Sequence, residues 1–391
     1  MSTLKFGVDV KEFDDLFKNG NNDLQVIIDN ALVPRYNSML WRRYFTKSDM
    51  PTPVNEKGVA LFEQISIVGK PDTLMLPRAA WTPPAEASME GFNSYSGSLA
   101  NYGFANTITG QERDYYAKML QRVGGNETVL GTYMRSLDHL VKSGHATLTN
   151  LCFQLLSKGQ YVTPNTTGFS ANGKANIPVA RFKTAGTYVW SNADADILGK
   201  MADEEKALRD ATGYAGALSW KMDRTTFNNL MNNTAIKALM KVFVASNAGL
   251  LTTTDIPAIV GTLTTYNNWV SELMLPNISP IEIIEETQVL QENTYYKSNV
   301  SGWATGNAVL SPVGVQGEIK YADLDELKVL SSVPDRQMAY LEGGIFGIMN
   351  WIDMARSPKW ISEILGFFAP ALSVFDVMTI VDTTTADPSG N

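Results

Sequence analysis

The longest regular pattern of apolar residues lies between residues 127 and 158. Apolar residues recur there at alternating steps of four and three, which is the spacing of one face of an α-helix. The positions of this seam are Leu130, Met134, Leu137, Val141, Gly144, Leu148, Leu151 and Leu155. At ~1.5 Å per residue the predicted helix spans roughly 50 Å, which is long for a globular domain. Asn126 is its predicted N-cap and Gly159 its predicted C′ residue.

Two features of the sequence bear on how this helix packs. Gly144 occupies a seam position without a side chain, so we expect a neighbouring element to approach the backbone closely there. A second helix precedes it, because Thr109 and Glu112 have the spacing of a capping box. Gly124 and Gly125 separate the two helices as a bend or a break. The pattern is typical either of one member of a helical bundle or of a single spine on which other elements pack.

Two segments before this helix lack the apolar content of an independent domain. Residues 1–50 form a predicted arm, whose aromatic cluster at 39–45 must pack on the body of this chain or on a neighbour. Residues 51–106 are rich in proline and glycine, and their short alternating runs predict two-stranded ribbons. Because such a ribbon is marginally stable alone, we expect a neighbouring subunit to cover it. Its large apolar residues near the tip are Trp81, Met89, Phe92 and Tyr95.

Strands and helices alternate after the long helix. A hairpin is predicted over residues 177–190, Asn192 or Asp194 is predicted to cap a helix that ends at Gly213, and Asp223 is predicted to cap the next helix. The further predicted elements are strands over residues 217–222, 281–290, 308–310, 318–321, 367–375 and 377–381, and helices over 223–231, 235–240 and 264–275. This alternation predicts an α/β layer with its own core, and therefore a second domain.

Composition limits the classes of function. Hydrophobic residues make up 44% and charged residues 18% of the 391, which indicates a folded chain. The net charge of −8 argues against a tight grip on nucleic acid, although a weakly acidic surface can still face DNA. The first residues lack the apolar core of a signal peptide. The apolar stretch 361–381 is interrupted by Glu363, Pro370 and Asp376, so we predict buried strands and no membrane span.

The histidines and the cysteine form no recognisable site. His139 and His145 lie six positions apart on the long helix, so they do not share a face as zinc ligands at i and i+4 do. We predict surface or groove positions for both. The single cysteine, Cys152, is predicted to be buried, fits a reducing cytoplasm, and lies too far along the helix from His145 for a nucleophilic pair. The sequence contains no phosphate-binding loop and no nucleophile elbow.

Paired carboxylates are the remaining candidates for chemistry. Asp194 with Asp196, and Asp323 with Asp325, are predicted to be helix-start or loop residues. The acidic run 203–205 is predicted to be a solvated helix face. No catalytic, cofactor-binding or metal-binding residue is predicted, and a carboxylate-dependent hydrolase is the alternative from a different class.

Four stretches resemble the major capsid proteins of tailed bacteriophages with the Hong Kong 97 capsid fold, and within them the lambda-like branch. They are ALSWKMD and TFNNL at 217–230, LP to PIEII at 275–284, NAVLSPVGVQG at 307–317, and APA followed by VMTIV at 369–381. The order and spacing of the four, over about residues 59–382, carry the resemblance.

The resemblance implies an α+β fold in five parts. These are an N-terminal arm (1–50), an extended E-loop β-ribbon (51–106), a peripheral domain with the spine helix (107–211), an α/β axial domain (212–375), and a C-terminal strand and tail (376–391). It further implies domain rotation on maturation, with Gly124, Gly125 and Gly144 as candidate hinges.

The implied function is a major capsid protein without catalytic residues or cofactors. Its copies self-assemble into the hexamers and pentamers of an icosahedral shell that encloses phage double-stranded DNA. The implied partners are copies of itself, a scaffold, a portal, decoration proteins, and packaged DNA contacted without sequence specificity, with no membrane partner. The implied location is the virion, with assembly in the host cytoplasm.

Two departures and one alternative qualify the resemblance. Lys70 lies near the start of the ribbon and no lysine lies near its tip, so crosslinking to asparagine is not expected. Only about fifty residues precede the ribbon, so a separate scaffold is expected. Within the same fold, an encapsulin-like compartment that holds cargo enzymes is the alternative.

Overall fold

The computed structural model describes residues 21–50, 61–66, 93–120, 125–163, 171–177, 181–184, 189–247, 262–272, 278–285, 287–291, 297–322, 336–353 and 359–384. Lys70 near the start of the predicted ribbon, and Trp81, Met89 and Phe92 near its tip, lie outside these residues, as do Gly124, Asp323 and Asp325. Contacts divide the chain into two units. Unit 1 contains residues 1–62, 98–149 and 319–370, and unit 2 contains residues 63–97, 150–318 and 371–391. The five-part division implied by the resemblance stays a prediction.

The described helices agree with the predicted order of elements. They are α1 (Asn21–Ile27), α2 (Trp41–Tyr44), α3 (Gly110–Leu120), α4 (Gly125–Lys158), α5 (Ile197–Thr212), α6 (Arg224–Asn232), α7 (Thr234–Asn247) and α8 (Leu263–Glu272). Helix α4 confirms the long helix predicted over residues 127–158. It starts before Asn126, so that residue is helical and the predicted N-cap is wrong. Gly159 has a φ of 67° and donates its N–H to the Leu155 carbonyl at 2.8 Å, which confirms the predicted C′ residue.

The described strands form two larger sheets and three two-stranded ribbons. The strands are β1 (Phe45–Asp49), β2 (Leu61–Ile65), β3 (Ser94–Ser98), β4 (Ala100–Thr109), β5 (Gln160–Thr163), β6 (Ala171–Lys174), β7 (Phe182–Thr184), β8 (Leu218–Met222), β9 (Ile281–Ile283), β10 (Gln288–Gln291), β11 (Lys297–Val300), β12 (Asn307–Pro312), β13 (Gly317–Tyr321), β14 (Gln337–Leu341), β15 (Phe346–Asp353), β16 (Lys359–Leu372) and β17 (Thr379–Asp382). The ribbons are β2–β3, β5–β6 and β10–β11. The apolar stretch 361–381 is thus mainly strand, as predicted.

Unit 1 is built on a six-stranded sheet against which the N-terminal part of α4 packs. The sheet order is β1-β13-β16-β15-β14, and β4 also pairs with β16. A Cβ atom added at Gly144 would lie 2.9 Å from Ile364 Cδ1 and 3.1 Å from Phe346 Cζ. Asn106 Nδ2 donates to the carbonyl of Ser136 at 3.1 Å, which adds a polar contact between β4 and α4. The close approach expected at Gly144 is therefore confirmed.

The capping box that starts α3 is also confirmed. The Thr109 N–H donates to Glu112 Oε2 at 2.8 Å, and the Glu112 N–H donates back to Thr109 Oγ1 at 3.4 Å. These reciprocal bonds satisfy amide donors that a helix N-terminus otherwise leaves unpaired. The local sequence therefore determines where β4 ends and α3 begins.

The described part of the predicted arm, residues 21–50, belongs to the core of unit 1. Its buried residues are Leu24, Ile28, Leu32, Tyr36, Trp41, Tyr44 and Phe45. Gln25 Nε2 donates to the Tyr340 carbonyl at 2.9 Å, and Gln25 Oε1 accepts the Tyr340 N–H at 2.7 Å. Tyr36 donates its hydroxyl hydrogen to Asp138 Oδ1 at 2.9 Å. Of the two alternatives left open for the aromatic cluster, packing on the body of this chain is the one observed.

Unit 2 is built on the five-stranded sheet β7-β17-β12-β8-β9. Helices α5 to α8 pack on one face of this sheet, in a core that includes Met201, Trp220, Phe227, Met240 and Trp269. Unit 2 has a core of its own, but the strands predicted for the same layer over residues 318–321 and 367–375 belong to the sheet of unit 1, as β13 and β16. The second domain with its predicted bounds stays a prediction. The predicted strand 281–290 is two strands in different sheets, β9 and β10. The predicted hairpin over residues 177–190 lies largely outside the described residues, and its described part contains β7, which pairs in parallel with β17.

Polar side chains in unit 2 explain its helix boundaries. Asp196 caps α5 by accepting the Gly199 N–H at 3.0 Å, so neither Asn192 nor Asp194 is the N-cap. Helix α5 ends at Gly213, which has a φ of 66°, as predicted. Asp223 caps α6, also as predicted, by accepting the N–H groups of the next turn.

Buried charge in unit 2 was not predicted. Glu205 is 2% exposed and accepts both the N–H and the hydroxyl hydrogen of Ser279, at 2.9 and 2.7 Å. Its assignment to a solvated helix face is therefore wrong. Lys221 is fully buried, and its Nζ donates to Ser219 Oγ at 2.7 Å and to Ser311 Oγ at 2.9 Å. The side chains of Glu205 and Lys221 thus form hydrogen bonds within the protein, which replace the hydrogen bonds to water that burial removes.

Candidate functional site

Those residues considered for chemistry that the structure describes do not converge. His139 is exposed and His145 is fully buried, so the predicted surface or groove position is wrong for His145. Cys152 is fully buried, as predicted, and its burial raises the pKa of the thiol. Of the candidate pair Asp194 and Asp196, Asp196 has a structural role, because it caps α5. Among the described residues, no three His, Cys, Asp or Glu side chains are grouped so that they could hold a metal ion.

The most concentrated polar geometry in unit 1 is a cluster around Glu342, which we call the Glu342 cluster. Its other members are Trp41, Arg42, Lys47 and His145. The Glu342 side chain is 2% exposed and is paired with the Arg42 guanidinium. Lys47 Nζ lies 3.5 Å from Glu342 Oε2, and His145 Nε2 lies 3.5 Å from Glu342 Oε1. The cluster therefore joins the arm, α4 and the turn between β14 and β15.

The backbone at Glu342 is strained. Its φ is 59°, in the left-handed region that favours glycine, and Gly343 and Gly344 follow with φ of 71° and 110°. A side chain held in this region costs on the order of 1 kcal/mol and persists only where the surroundings compensate. The ion pairs with Arg42 and Lys47 supply that compensation, because they hold the carboxylate under the arm.

His145 is held as a neutral acceptor. Trp41 donates its indole N–H to His145 Nδ1 at 3.1 Å, and the imidazole stacks on Tyr36 with ring centroids 5.2 Å apart. Burial, and then the positive charge of Arg42, lower the pKa of His145 to about 3. The Tyr36 hydroxyl also has a raised pKa, because of burial and then its hydrogen bond to Asp138. These rings secure the arm on α4 without adding a titrating charge near neutral pH.

A cavity of about 380 Å³ lies beside this cluster. Its lining residues are Gln25, Asp29, Val33, Asn37, Arg42, Lys47, Tyr340, Glu342 and Gly343. Arg42 and Lys47 are both engaged by Glu342, so the lining charges largely neutralise one another. We assign the cluster to stabilisation of the arm and not to ligand binding.

The base of the predicted E-loop ribbon is held within unit 2. The Ser66 N–H donates to the Asn93 carbonyl at 2.9 Å, which joins the two sides of the ribbon. Gln64 Nε2 donates to Ser373 Oγ at 3.0 Å, and the Tyr95 hydroxyl accepts the Leu372 N–H at 2.7 Å. Burial raises the pKa of Tyr95. The ribbon base is therefore anchored on the segment between β16 and β17.

Further contacts hold the base of the ribbon within unit 2. Tyr95 packs edge-on against Phe375 with ring centroids 5.2 Å apart, and Asn93 Nδ2 donates to Asp376 Oδ2 at 3.1 Å.

Ile65, on the outer face of β2, is 51% exposed. Leu239 and Val242 on α7 are 48% and 59% exposed. Contiguous patches of such side chains, and not single ones, mark surfaces suited to contact with other molecules.

None of these contacts could be read from the sequence. Gln64 lies 309 positions from Ser373, and Arg42 lies 300 positions from Glu342. The one local signal was the Gly343-Gly344 pair, which marks a turn after β14.

Among the helices that the structure describes, none combines the length and apolar character required to traverse a lipid bilayer.

Comparisons with known proteins identify the fold. No family model matches the chain, and no curated protein matches its sequence. The fold is similar to that of a candidate capsid protein of a prophage of Escherichia coli CFT073, with a TM-score of 0.53 and 9% identity over 93% of this chain and 99% of that one. A phage-related protein of Bordetella bronchiseptica RB50 matches with a TM-score of 0.45 and 11% identity, over 94% of this chain and 98% of that one.

The capsid of Ralstonia phage GP4 matches with a TM-score of 0.41 and 12% identity over 88% of each chain. Of these three structures, the prophage protein carries the assignment, and at 9% identity it shows the fold alone. The chain therefore has an α+β fold of the phage capsid type, and the Hong Kong 97-type fold implied by the resemblance is confirmed. The assignment to the lambda-like branch stays a prediction.

Proposed function

We propose that this chain is the major capsid protein of a tailed bacteriophage, a structural subunit that assembles into the hexamers and pentamers of an icosahedral shell. The observation that carries the proposal is the shared fold, which spans 93% of this chain and 99% of the prophage protein. The anchored ribbon base supports it as well. A ribbon held at its base and apolar on its outer face suits contact with a neighbouring copy.

The five segments named above would then have distinct roles. The E-loop of residues 51–106 would reach a neighbouring copy, and the axial domain of residues 212–375 would lie near the centre of each capsomer. The shell would enclose double-stranded DNA in the virion and would be assembled in the host cytoplasm. A scaffold, a portal and decoration proteins would be its partners, and the net charge of −8 suits DNA that is enclosed without being gripped.

The proposed role requires no catalysis. Asp196, one member of the candidate carboxylate pair, serves as the N-cap of α5. If alanine at Asp194 and Asp196 left assembly intact but abolished a hydrolytic turnover, the hydrolase alternative would replace this proposal.

The direct test is the state of assembly of the purified protein. We expect closed shells or capsomer-sized rings by negative-stain electron microscopy, and matching species by analytical ultracentrifugation. A strictly monomeric protein at micromolar concentration would contradict the proposal. Shells that package enzymes and contain no DNA when isolated from phage-producing cells would favour the encapsulin-like alternative.

A variant of the ribbon base sharpens this test. Ile65→Ser removes an exposed apolar side chain whose burial on a neighbour is worth about 2 kcal/mol, which corresponds to more than a tenfold rise in the concentration needed for assembly. Glu63→Gln, at another exposed position of the same strand, is the matched control and should assemble as the wild type does. Equal assembly of the wild type and Ile65→Ser would exclude the ribbon base from the contact.

A further inference from the structure

Helix α7 has a buried face and a separate exposed apolar face. Ile236 and Met240 are each 1% exposed and pack in the core of unit 2. On the other side of the helix, Leu239 and Val242 remain exposed to water. They belong to a stripe of four exposed residues with the spacing i, i+3, i+4 and i+7, namely Ala235, Ala238, Leu239 and Val242. This spacing places all four on one side of a helix, over ~10 Å of its length.

The α7 stripe, as we call these four residues, is held on a well-ordered support. Asn233, which is 1% exposed, caps α7 by accepting the Ala235 and Ile236 N–H groups at 3.1 and 3.2 Å. Its Nδ2 donates to the Ala195 carbonyl at 2.7 Å, which ties the start of the helix to the segment before α5. A surface that is already ordered loses little conformational entropy when a partner covers it. The α7 stripe therefore has the properties of a preformed contact.

The charges beside the α7 stripe are positive. Lys237 and Lys241 are exposed and lie one helical turn apart along its border. Residues 224–247, which form α6 and α7, contain three basic residues and no acidic one. The third basic residue, Arg224, is paired with Glu285 outside the two helices. Because the whole chain has a net charge of −8, the rest of it is more acidic still. This face of α7 is thus complementary to an acidic surface with apolar groups.

We propose that the α7 stripe packs on an acidic surface of a second copy of this chain. The inference rests on the proposed function, which brings many copies of the chain together. Charge complementarity favours a second copy, because Lys237 and Lys241 would meet carboxylates of the acidic remainder of that copy. Two α7 helices that faced each other would instead bring lysines together, so the two copies contribute different surfaces. Such a head-to-tail contact can close into a ring.

A protein surface fits the α7 stripe better than DNA does. Phosphates of DNA would pair with Lys237 and Lys241, but they would leave Leu239 and Val242 in water. An apolar centre bordered by charged residues is the usual arrangement of a contact between proteins. The face is therefore assigned to a neighbouring copy.

Substitution within the α7 stripe tests the contact. Leu239→Glu removes an apolar side chain and sets a carboxylate against the acidic partner, so the concentration needed for assembly should rise by roughly tenfold or more. Val162→Glu is the matched control, because Val162 is 50% exposed on β5 and lies outside the stripe, and this variant should assemble as the wild type does. Unchanged thermal unfolding of each unassembled variant shows that the fold is intact. Normal assembly of Leu239→Glu, or an equal rise for both variants, would overturn the inference.

A second variant tests the charges. Lys237→Gln with Lys241→Gln should raise the concentration needed for assembly and make assembly less sensitive to salt, because salt screens exposed ion pairs. Assembly of this variant at the wild-type concentration and with the wild-type salt dependence would overturn the inference. If it assembled normally but retained less DNA, the face would belong to DNA, and the inference would again be overturned.

Photo-crosslinking identifies the partner directly. Full-length chains with p-benzoylphenylalanine in place of Leu239 are assembled with an excess of wild-type chains and irradiated. Mass spectrometry should then find position 239 joined to a carboxylate-containing surface peptide of another copy. Shells that form but give no two-copy product from position 239, or a product with a different protein, would overturn the inference and leave the proposed function intact. Failure of the wild type to assemble would overturn the proposed function and the inference with it.

Discussion

Two glycines inside α4 allow the packing of this helix to be measured with a single methyl group. A Cβ atom at Gly131 would meet no atom within 4 Å, whereas at Gly144 it would lie 2.9 Å from Ile364 and 3.1 Å from Phe346. Alanine is favoured over glycine in a helix interior by about 1 kcal/mol at either position. The difference between the two alanine variants therefore isolates the packing term.

The expected magnitudes follow from these distances. Gly131→Ala should stabilise unit 1 by about 1 kcal/mol, since the added methyl meets open space. At Gly144 the same gain is opposed by overpacking of about 1–3 kcal/mol. The Ile364 methyl can move aside, but the Phe346 ring packs edge-on against Phe368 with centroids 5.3 Å apart. Gly144→Ala should thus be neutral or destabilising by up to about 2 kcal/mol.

The assay is equilibrium urea unfolding of the unassembled subunit, followed by tryptophan fluorescence and circular dichroism. Gly144→Leu should unfold at still lower urea than Gly144→Ala, because a larger side chain meets the same two neighbours. Equal stabilisation by Gly131→Ala and Gly144→Ala would refute the reasoning, because it would mean that no close contact forms at Gly144. Such a result would also weaken the assignment of α4 as a spine on which the sheet packs.

Three further predictions concern buried side chains that can carry a charge. Glu342→Gln should destabilise unit 1 by about 2 kcal/mol, less than for a fully buried pair because Arg42 can regain water. The folded-state pKa of His145 is about 3 against 6.5 when unfolded, so between pH 6.5 and pH 3 the unfolded chain binds the proton more readily than the folded chain. The free energy of unfolding therefore decreases by up to about 1.4 kcal/mol per pH unit from pH 6.5 towards pH 3. Above pH 6.5 His145 causes no such loss. Glu205→Ala should destabilise unit 2 by about 2 kcal/mol, because it leaves the Ser279 N–H and hydroxyl without their acceptor.

Each of these predictions has its own check. Urea unfolding measures the first and the third, and Asp203→Ala, at an exposed neighbour on α5, is the control for Glu205→Ala. For the second, unfolding free energies are measured from pH 7 to pH 4 for the wild type and His145→Gln. A pH slope that the substitution leaves unchanged would show that His145 does not titrate as its burial requires. A Glu342→Gln variant as stable as the wild type would show that the arm does not depend on its ion pairs.

Local signals in the sequence predicted much of the fold. The seam of α4, the capping box at Thr109 and Glu112, and the N-cap at Asp223 are confirmed because their causes lie within a few residues. Gly144 was also recognised, since an empty position in an apolar seam indicates close packing. Such features need no knowledge of how distant segments meet.

The remaining features depend on contacts between segments far apart in the chain. His145 was assigned to the surface because a histidine on a helix gives no sign that Trp41 will donate to it. Glu205 was assigned to a solvated face because its partner, Ser279, lies 74 positions away. The strand predicted over residues 281–290 failed for a related reason, since apolar runs do not indicate which sheet they join. Tertiary partners decide these cases, and a single sequence does not reveal them.

The packing of the arm has a consequence for proteolytic processing of this chain. Trp41, Tyr44 and Phe45 are each at most 2% exposed, and Leu24 is 1% exposed. A protease that cut between Leu24 and Phe45 and released the N-terminal fragment would remove large side chains from the core of unit 1. Water would then fill the space that they had occupied. A truncation that removes residues from that region would therefore unfold unit 1. A truncation that removes only residues before Leu24 would leave these buried side chains in place.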